Sequence, residues 1–93
     1  MPVPRLELFV HGSTRAGREA RAHVERLSAA LGGDNLQVAL IDLELQPEAG
    51  KALDVRLTPT LVRRDLPGAP RVFGSLADLA ASARALALAE VAP

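Results

Sequence analysis

The sequence predicts an α/β domain built on a four-stranded mixed sheet. Three features carry the prediction: strand-length apolar runs on either side of an amphipathic helix, two later short strands joined by a Pro-Gly turn, and a proline, Pro59, at the mouth of the third strand. Ninety-three residues allow one domain, residues 1–93, near the small end of what folds without staples.

The first strand is Arg5 to Val10. Leu6, Leu8 and Val10 alternate onto one face and Phe9 makes the other face apolar too, which marks a central strand. Gly12, Ser13 and Thr14 then suit a turn and a helix N-cap. From Arg15 to Leu31, Ala16, Ala20, Val24, Leu27 and Leu31 recur at spacings of three and four, with Arg15, Arg18, Arg21, Glu25 and Arg26 outside. Gly32-Gly33-Asp34 stops that helix. Leu36 to Leu43 is nearly all apolar and reads as a second buried strand. Strand, helix and strand form a right-handed parallel βαβ unit. A short second helix is expected from Pro47, since proline suits a first turn. "TLVRR" and "PRVFG" pair antiparallel across Pro67-Gly68, a type II turn sequence. Ser75 is the expected cap of the last helix, with Asp78 completing a shortened capping box and Leu76, Leu79, Ala83 and Leu86 on its apolar face. The order β-α-β-α-β-β-α, half parallel and half antiparallel, is that of a thioredoxin-like fold.

Composition narrows the function. With 48% hydrophobic and 24% charged residues the chain is an ordinary globular mixture. Eleven basic residues balance eleven acidic ones, so neither nucleic acid nor an anionic membrane is an expected partner. The absence of cysteine excludes disulfides, thiolate catalysis, iron–sulfur clusters and cysteine-ligated zinc. "MPVPRLELFV" lacks the apolar run and cleavage site of a signal peptide, and no apolar run approaches the roughly 18 residues of a membrane span. The expected location is the cytoplasm.

No constellation points to catalysis or a cofactor. "GSTRAGRE" has the glycine separation of a phosphate-binding loop, but Arg18 stands in place of the lysine and Glu19 in place of the magnesium-binding hydroxyl. A helix-capping turn is the better reading. His11 and His23 have no metal-ligand spacing, and Asp42, Glu44 and Glu48 read as a solvated rim. Arg63, Arg64 and Arg71 fall on the hairpin, either blunting a sheet edge or offering a contact surface. In a thioredoxin-like fold the position of Pro59 is typically a cis-proline facing a CxxC motif. Here the facing turn is "HGSTRAG", which has no sulfur.

These residues resemble the KaiB family of circadian-clock proteins. "LFVHGST" is similar to the family's "LYVAGNT". Ile41-Asp42, Pro47 and Thr58-Pro59-Thr60-Leu61 follow its "IDV…NP…ILATPTL", and Arg71, Gly74 and Leu76 continue the match. The resemblance implies a non-enzymatic binding module without cofactor, acting on a KaiC-like ATPase in a circadian or timing and stress pathway. It marks Thr58, Pro59, Thr60 and Gly74 as fold determinants. The implied surface is the first helix and second strand, with Arg18, Arg21 and Ala22 as contact residues and Arg63 and Arg71 as further candidates on the hairpin. An alternative is an interaction or sensor module for a histidine kinase or other signalling protein, since KaiB-like domains also occur fused to such kinases. An enzyme on the same scaffold would have only the hydroxyls of Ser13 and Thr14 in the right turn.

The family is also metamorphic, with a tetramer-forming ground state of different fold in the C-terminal half, so a homo-oligomer and that alternative fold are implied too. The chain departs from clock members at Glu19, Ala22, Leu45 and Asp54, where basic residues are usual, and at Phe9, where tyrosine is common. Ala85 and Ala87 replace a glycine and an aspartate. In a helix interior these changes stabilise by up to about 1 kcal/mol, which predicts a continuous last helix and a thioredoxin-like state without a partner.

Overall fold

A strand apolar on both faces needs neighbours on both sides and cover above and below, and β1 (Arg5–Val10) has all four. A computed structural model describes residues 3–33 and 35–88. The sheet order is β2-β1-β3-β4, with β2 (Gln37–Asp42) parallel to β1, and β3 (Thr60–Arg63) antiparallel to both β1 and β4 (Arg71–Phe73). Helix α1 (Arg15–Ala30) makes the crossover, and α2 (Leu79–Ala85) closes the chain over the same face. The fold is thioredoxin-like with a four-stranded mixed sheet, and the Thr58–Pro59 bond is cis.

The core lies between sheet and helices. Leu6, Leu8, Val10 and Leu61 pack against Ala20, Val24 and Leu27 of α1 and against Ala83 and Leu86 at the end of α2. Each fully buried leucine contributes ~2 kcal/mol. On the reverse face Phe9 and Val62 are also buried. The chain between β2 and β3 covers them, anchored where the Arg71 guanidinium donates to the Leu53 carbonyl.

Several local expectations change. The helix from Pro47 is a 3₁₀ turn, Lys51–Leu53. Ala49, Lys51 and Asp54 each donate three residues back, and the segment folds on itself where Val55 N–H donates to Gly50 O at 2.9 Å. Gly50 in mid-segment opposes an α-helix through its backbone entropy. The strand read as buried is an edge: its residues from Gln37 to Leu40 are exposed, because nothing pairs with its outer side among the described residues. At α2 the cap is Asp78, whose Oδ1 accepts from Ala81 N–H at 3.0 Å. Ser75 instead accepts from Ala77 N–H in a local turn, which competes with a helix start.

The last helix is not continuous through Ala87. Both helices end in the same motif. At α1, Gly33 N–H donates to Ser28 O and Gly32 N–H to Ala29 O, with Gly32 at φ 100°. At α2, Leu88 N–H donates to Ala83 O and Ala87 N–H to Arg84 O, with Ala87 at φ 55°. Ala85 is the last helical residue and Ala87 lies past the end, so the interior argument does not apply to Ala87 and its sign reverses there.

Arg63 ties that end to the sheet. Its guanidinium donates to Leu86 O at 3.1 Å and Ala87 O at 2.8 Å, and meets both carboxylate oxygens of Asp65 at 3.1 Å. Asp65 also accepts from Arg5 N–H at 3.0 Å. Hairpin geometry is as expected, with Gly68 at φ 82° and Ala69 N–H donating to Leu66 O.

Two predictions follow from the α2 terminus. Ala87→Gly should raise the thermal midpoint, by ~1 kcal/mol in stability, because a Cβ is disfavoured in the left-handed region; a lowered midpoint by circular dichroism would contradict the motif. The Asp65 carboxyl is lowered from 3.8 to about 2, first by the Arg63 side chain and then by Arg5 N–H. A depressed folded pKa favours folding once the carboxyl is ionised, so this contribution is complete above the unfolded value and is lost as pH falls toward the folded one. Acid denaturation should therefore weaken the fold between about pH 4 and pH 2. Asp65→Asn should be less stable at neutral pH and flatter across that window.

Candidate interaction surface

The turn after β1 is where the fold's redox members place reactive groups, and here it is closed by hydrogen bonds. Thr14 caps α1: its Oγ1 accepts from Gly17 N–H at 3.0 Å and donates to His11 O at 2.6 Å. Ser13 Oγ donates to Glu44 Oε1 at 2.6 Å. Asp42 Oδ1 accepts from Gly12 N–H at 3.0 Å and Glu44 N–H at 2.9 Å. Asp42 and Glu44, expected as a solvated rim, instead bind the end of β2 to the β1–α1 turn. Glu48 does sit exposed, paired with Lys51.

Across this turn stands the cis-Pro59 loop. His11 Nδ1 is hydrogen-bonded to Thr58 Oγ1 at 3.0 Å rather than to either turn hydroxyl. Thr60 Oγ1 donates to Leu57 O, and Gly74 N–H donates to Pro59 O at 3.0 Å. Thr58, Pro59, Thr60 and Gly74 thus form one connected corner. Beside it a cleft of about 290 Å³ is lined by Ala16, Ala20, His23, Pro59 and Leu76 among others. Both hydroxyls of the turn are engaged within the fold, Ser13 with the Glu44 carboxylate and Thr14 with the His11 carbonyl.

A second cleft, about 280 Å³, runs between α1 and β2. Arg21, Val24, Glu25 and Ser28 form its helix wall, Leu8 and Leu36 its floor, and Val38 and Leu40 its strand wall. Val38 is 38% and Leu40 44% exposed. Arg21 is exposed on this rim, while Arg18, also exposed, donates to Ser13 O at the helix start. Ala22 is half-buried on the same helix. Arg63 and Arg71 lie elsewhere, each bound to main-chain carbonyls of the fold. The five proposed contact residues therefore do not share one surface. Val38 and Leu40 are not marked as surface residues by the sequence, because a continuous apolar run reads as buried when its cover is assumed.

What fold and turn define together is a thioredoxin-like domain whose redox position carries hydrogen-bonded polar residues in place of cysteines. Its structural likenesses agree: mitochondrial thioredoxin 3 from Saccharomyces cerevisiae superposes with a TM-score of 0.71 at 16% identity, over 90% of this chain and 76% of that one. The N-terminal domain of Synechococcus elongatus SasA gives 0.62 at 22% identity, over 82% of this chain and 71% of that one. In sequence, the chain is 27% identical over 73 residues to the circadian clock protein KaiB3 of Synechocystis sp., spanning 78% of this chain and 72% of KaiB3. Its sequence is thus similar to that of a KaiB clock protein over most of its length. No family model matches the chain.

Gly17 supplies a test of the turn. It sits inside α1, where Gly→Ala ordinarily stabilises by up to about 1 kcal/mol. Here a Cβ would stand 2.5 Å from the His11 carbonyl oxygen. Gly17→Ala should therefore lower the thermal midpoint; a raised midpoint would show that the turn yields freely.

Proposed function

We propose that this chain is a non-enzymatic, cytoplasmic protein-binding module of a circadian or related timing system, docking through α1 and β2 onto a KaiC-like ATPase. One contrast carries the reading: the turn where the fold could hold chemistry is closed, while the α1–β2 face exposes Val38 and Leu40 beside Arg21. Exposed apolar residues rimmed by charge are the features of a contact surface. The likeness to KaiB3, a circadian clock protein by name, supports the clock context. In this reading the thioredoxin-like arrangement is the binding-competent one, and the Arg63 clamp on α2 favours it before a partner arrives.

The test is retention of KaiC-type ATPases from the same genome on the immobilised chain, with and without ATP. Histidine kinases of that genome serve as a parallel set of baits. The wild type should retain the ATPase, and the double variant Arg18→Glu, Arg21→Glu should weaken it at least about tenfold through charge reversal at the contact. Retention of kinases alone would move the function to kinase signalling. Retention of neither, or binding indifferent to the double variant, would overturn the proposal.

A further inference from the structure

One corner of the sheet's reverse face carries more positive charge than the fold uses. Arg5 and Glu7 point away from the helices, because they alternate with Leu6 and Leu8 of the core. Gln37 and Ala39 share that face, since they pair with Arg5 and Glu7. The antiparallel register of β1 and β3, extended by one pair, sets Arg64 directly opposite Arg5, and Arg64 N–H donates to Arg5 O at 2.7 Å. Gln37, Arg5 and Arg64 therefore stand abreast on neighbouring strands. Like charges facing each other in this way, with Cβ atoms about 5 Å apart, destabilise a sheet.

The fold relieves that pair only in part. Glu7 Oε1 accepts from Arg64 Nη1 at 2.6 Å, which leaves two nitrogens of that guanidinium and Glu7 Oε2 without a partner among the described residues. Asp65 takes the main-chain N–H of Arg5, but both its oxygens are held by Arg63. The guanidinium of Arg5 and the carboxamide of Gln37 have no partner among the described residues. Arg5, Arg63 and Arg64 set against Glu7 and Asp65 leave a surplus of one positive charge. Among these groups lies a cavity of about 250 Å³, whose floor is kept open by the small side chain of Ala39.

We propose that this corner is a binding site for a small organic carboxylate. Arg5 and Arg64 hold the carboxylate between them, since a planar guanidinium presents paired N–H donors that match its two oxygens. One negative charge cancels the surplus and separates the two cations. The cavity approaches the ~300 Å³ at which small-molecule sites begin, so the ligand carries an organic body over Ala39 and Val38. Gln37 supplies a donor and an acceptor to a polar group on that body. A dianionic phosphate suits the corner less well, because Glu7 borders the clamp and the second negative charge would be unmatched. Arg5, Gln37 and Ala39 are exposed, so the bound molecule stays partly in water and its affinity should be millimolar. The site faces away from α1 and does not rest on the proposed function.

Benzoate is a suitable probe, with benzamide as its uncharged counterpart and inorganic phosphate as the rival anion. In proton–nitrogen NMR spectra at constant ionic strength, benzoate should shift the amide resonances of Arg5, Gln37, Ala39 and Arg64 saturably, with a Kd below about 20 mM. Benzamide should leave them in place. Arg5→Gln keeps the main-chain bond to Asp65 and should weaken benzoate binding at least about tenfold, the effect of losing one charge-assisted contact. Without ligand, the same variant should melt no lower than the wild type, because it removes the facing like charges. An arginine kept for the fold alone would lower the midpoint. That lowering, an absence of shifts, equal shifts with benzamide, binding indifferent to Arg5→Gln, or phosphate bound more tightly than benzoate would each overturn the proposal. These measurements use the chain alone, so they can fail while ATPase retention succeeds, and the reverse.

Discussion

The helix layer of this protein is too narrow for its sheet, and much of the surface follows from that shortfall. Helix α1 packs on β1 and α2 reaches toward β4, leaving β2 with little above it. The apolar side chains of β2 that would continue the core, Val38 and Leu40, therefore line an open cleft. On the reverse face the expected second helix has shrunk to a 3₁₀ turn, and irregular chain shields Phe9 and Val62. A domain this small buries a limited fraction of its surface, and the apolar area it leaves exposed is concentrated on one edge.

The β1–α1 turn shows how a scaffold can keep its geometry when its chemistry is absent. Side-chain acceptors from the end of β2 hold this turn, and the helix cap and the His11–Thr58 contact hold it from the other sides. The side chains of His11, Ser13 and Thr14 each have a partner inside the fold. Such an arrangement fixes the angle at which α1 leaves the sheet, which in turn sets the width of the α1–β2 cleft.

Much of the architecture was readable from local pattern. The alternation in β1, the 3.6-residue period of α1, the Thr14 cap and the Pro67-Gly68 turn each state their conformation within a few residues. Thr58-Pro59-Thr60 marked the corner opposite the first turn. The failures were non-local. Whether Gln37–Asp42 is central or marginal depends on sheet order, which no run of apolar residues encodes. Ser75 and Asp78 are both good caps, and the choice between them was made by the turn at Gly74 and the docking of Leu76. Alanine favours helices, so Ala87 reads as helical from its neighbours alone; its carbonyl's partner, Arg63, lies 24 residues away. The surface was legible as a helix and a strand, while its exposed apolar members were not.

Arg63 also acts as a stop on the last helix. It occupies the carbonyl oxygens of Leu86 and Ala87 from the sheet side. Were α2 to continue, those oxygens would be claimed by N–H groups four residues further along. The clamp and a longer helix draw on the same acceptors, so the third strand sets the length of an element that follows it by more than a dozen residues. A substitution at Arg63 would thus alter where the helix ends as well as how firmly it is held, and Asp65, left without its cation, would register the change.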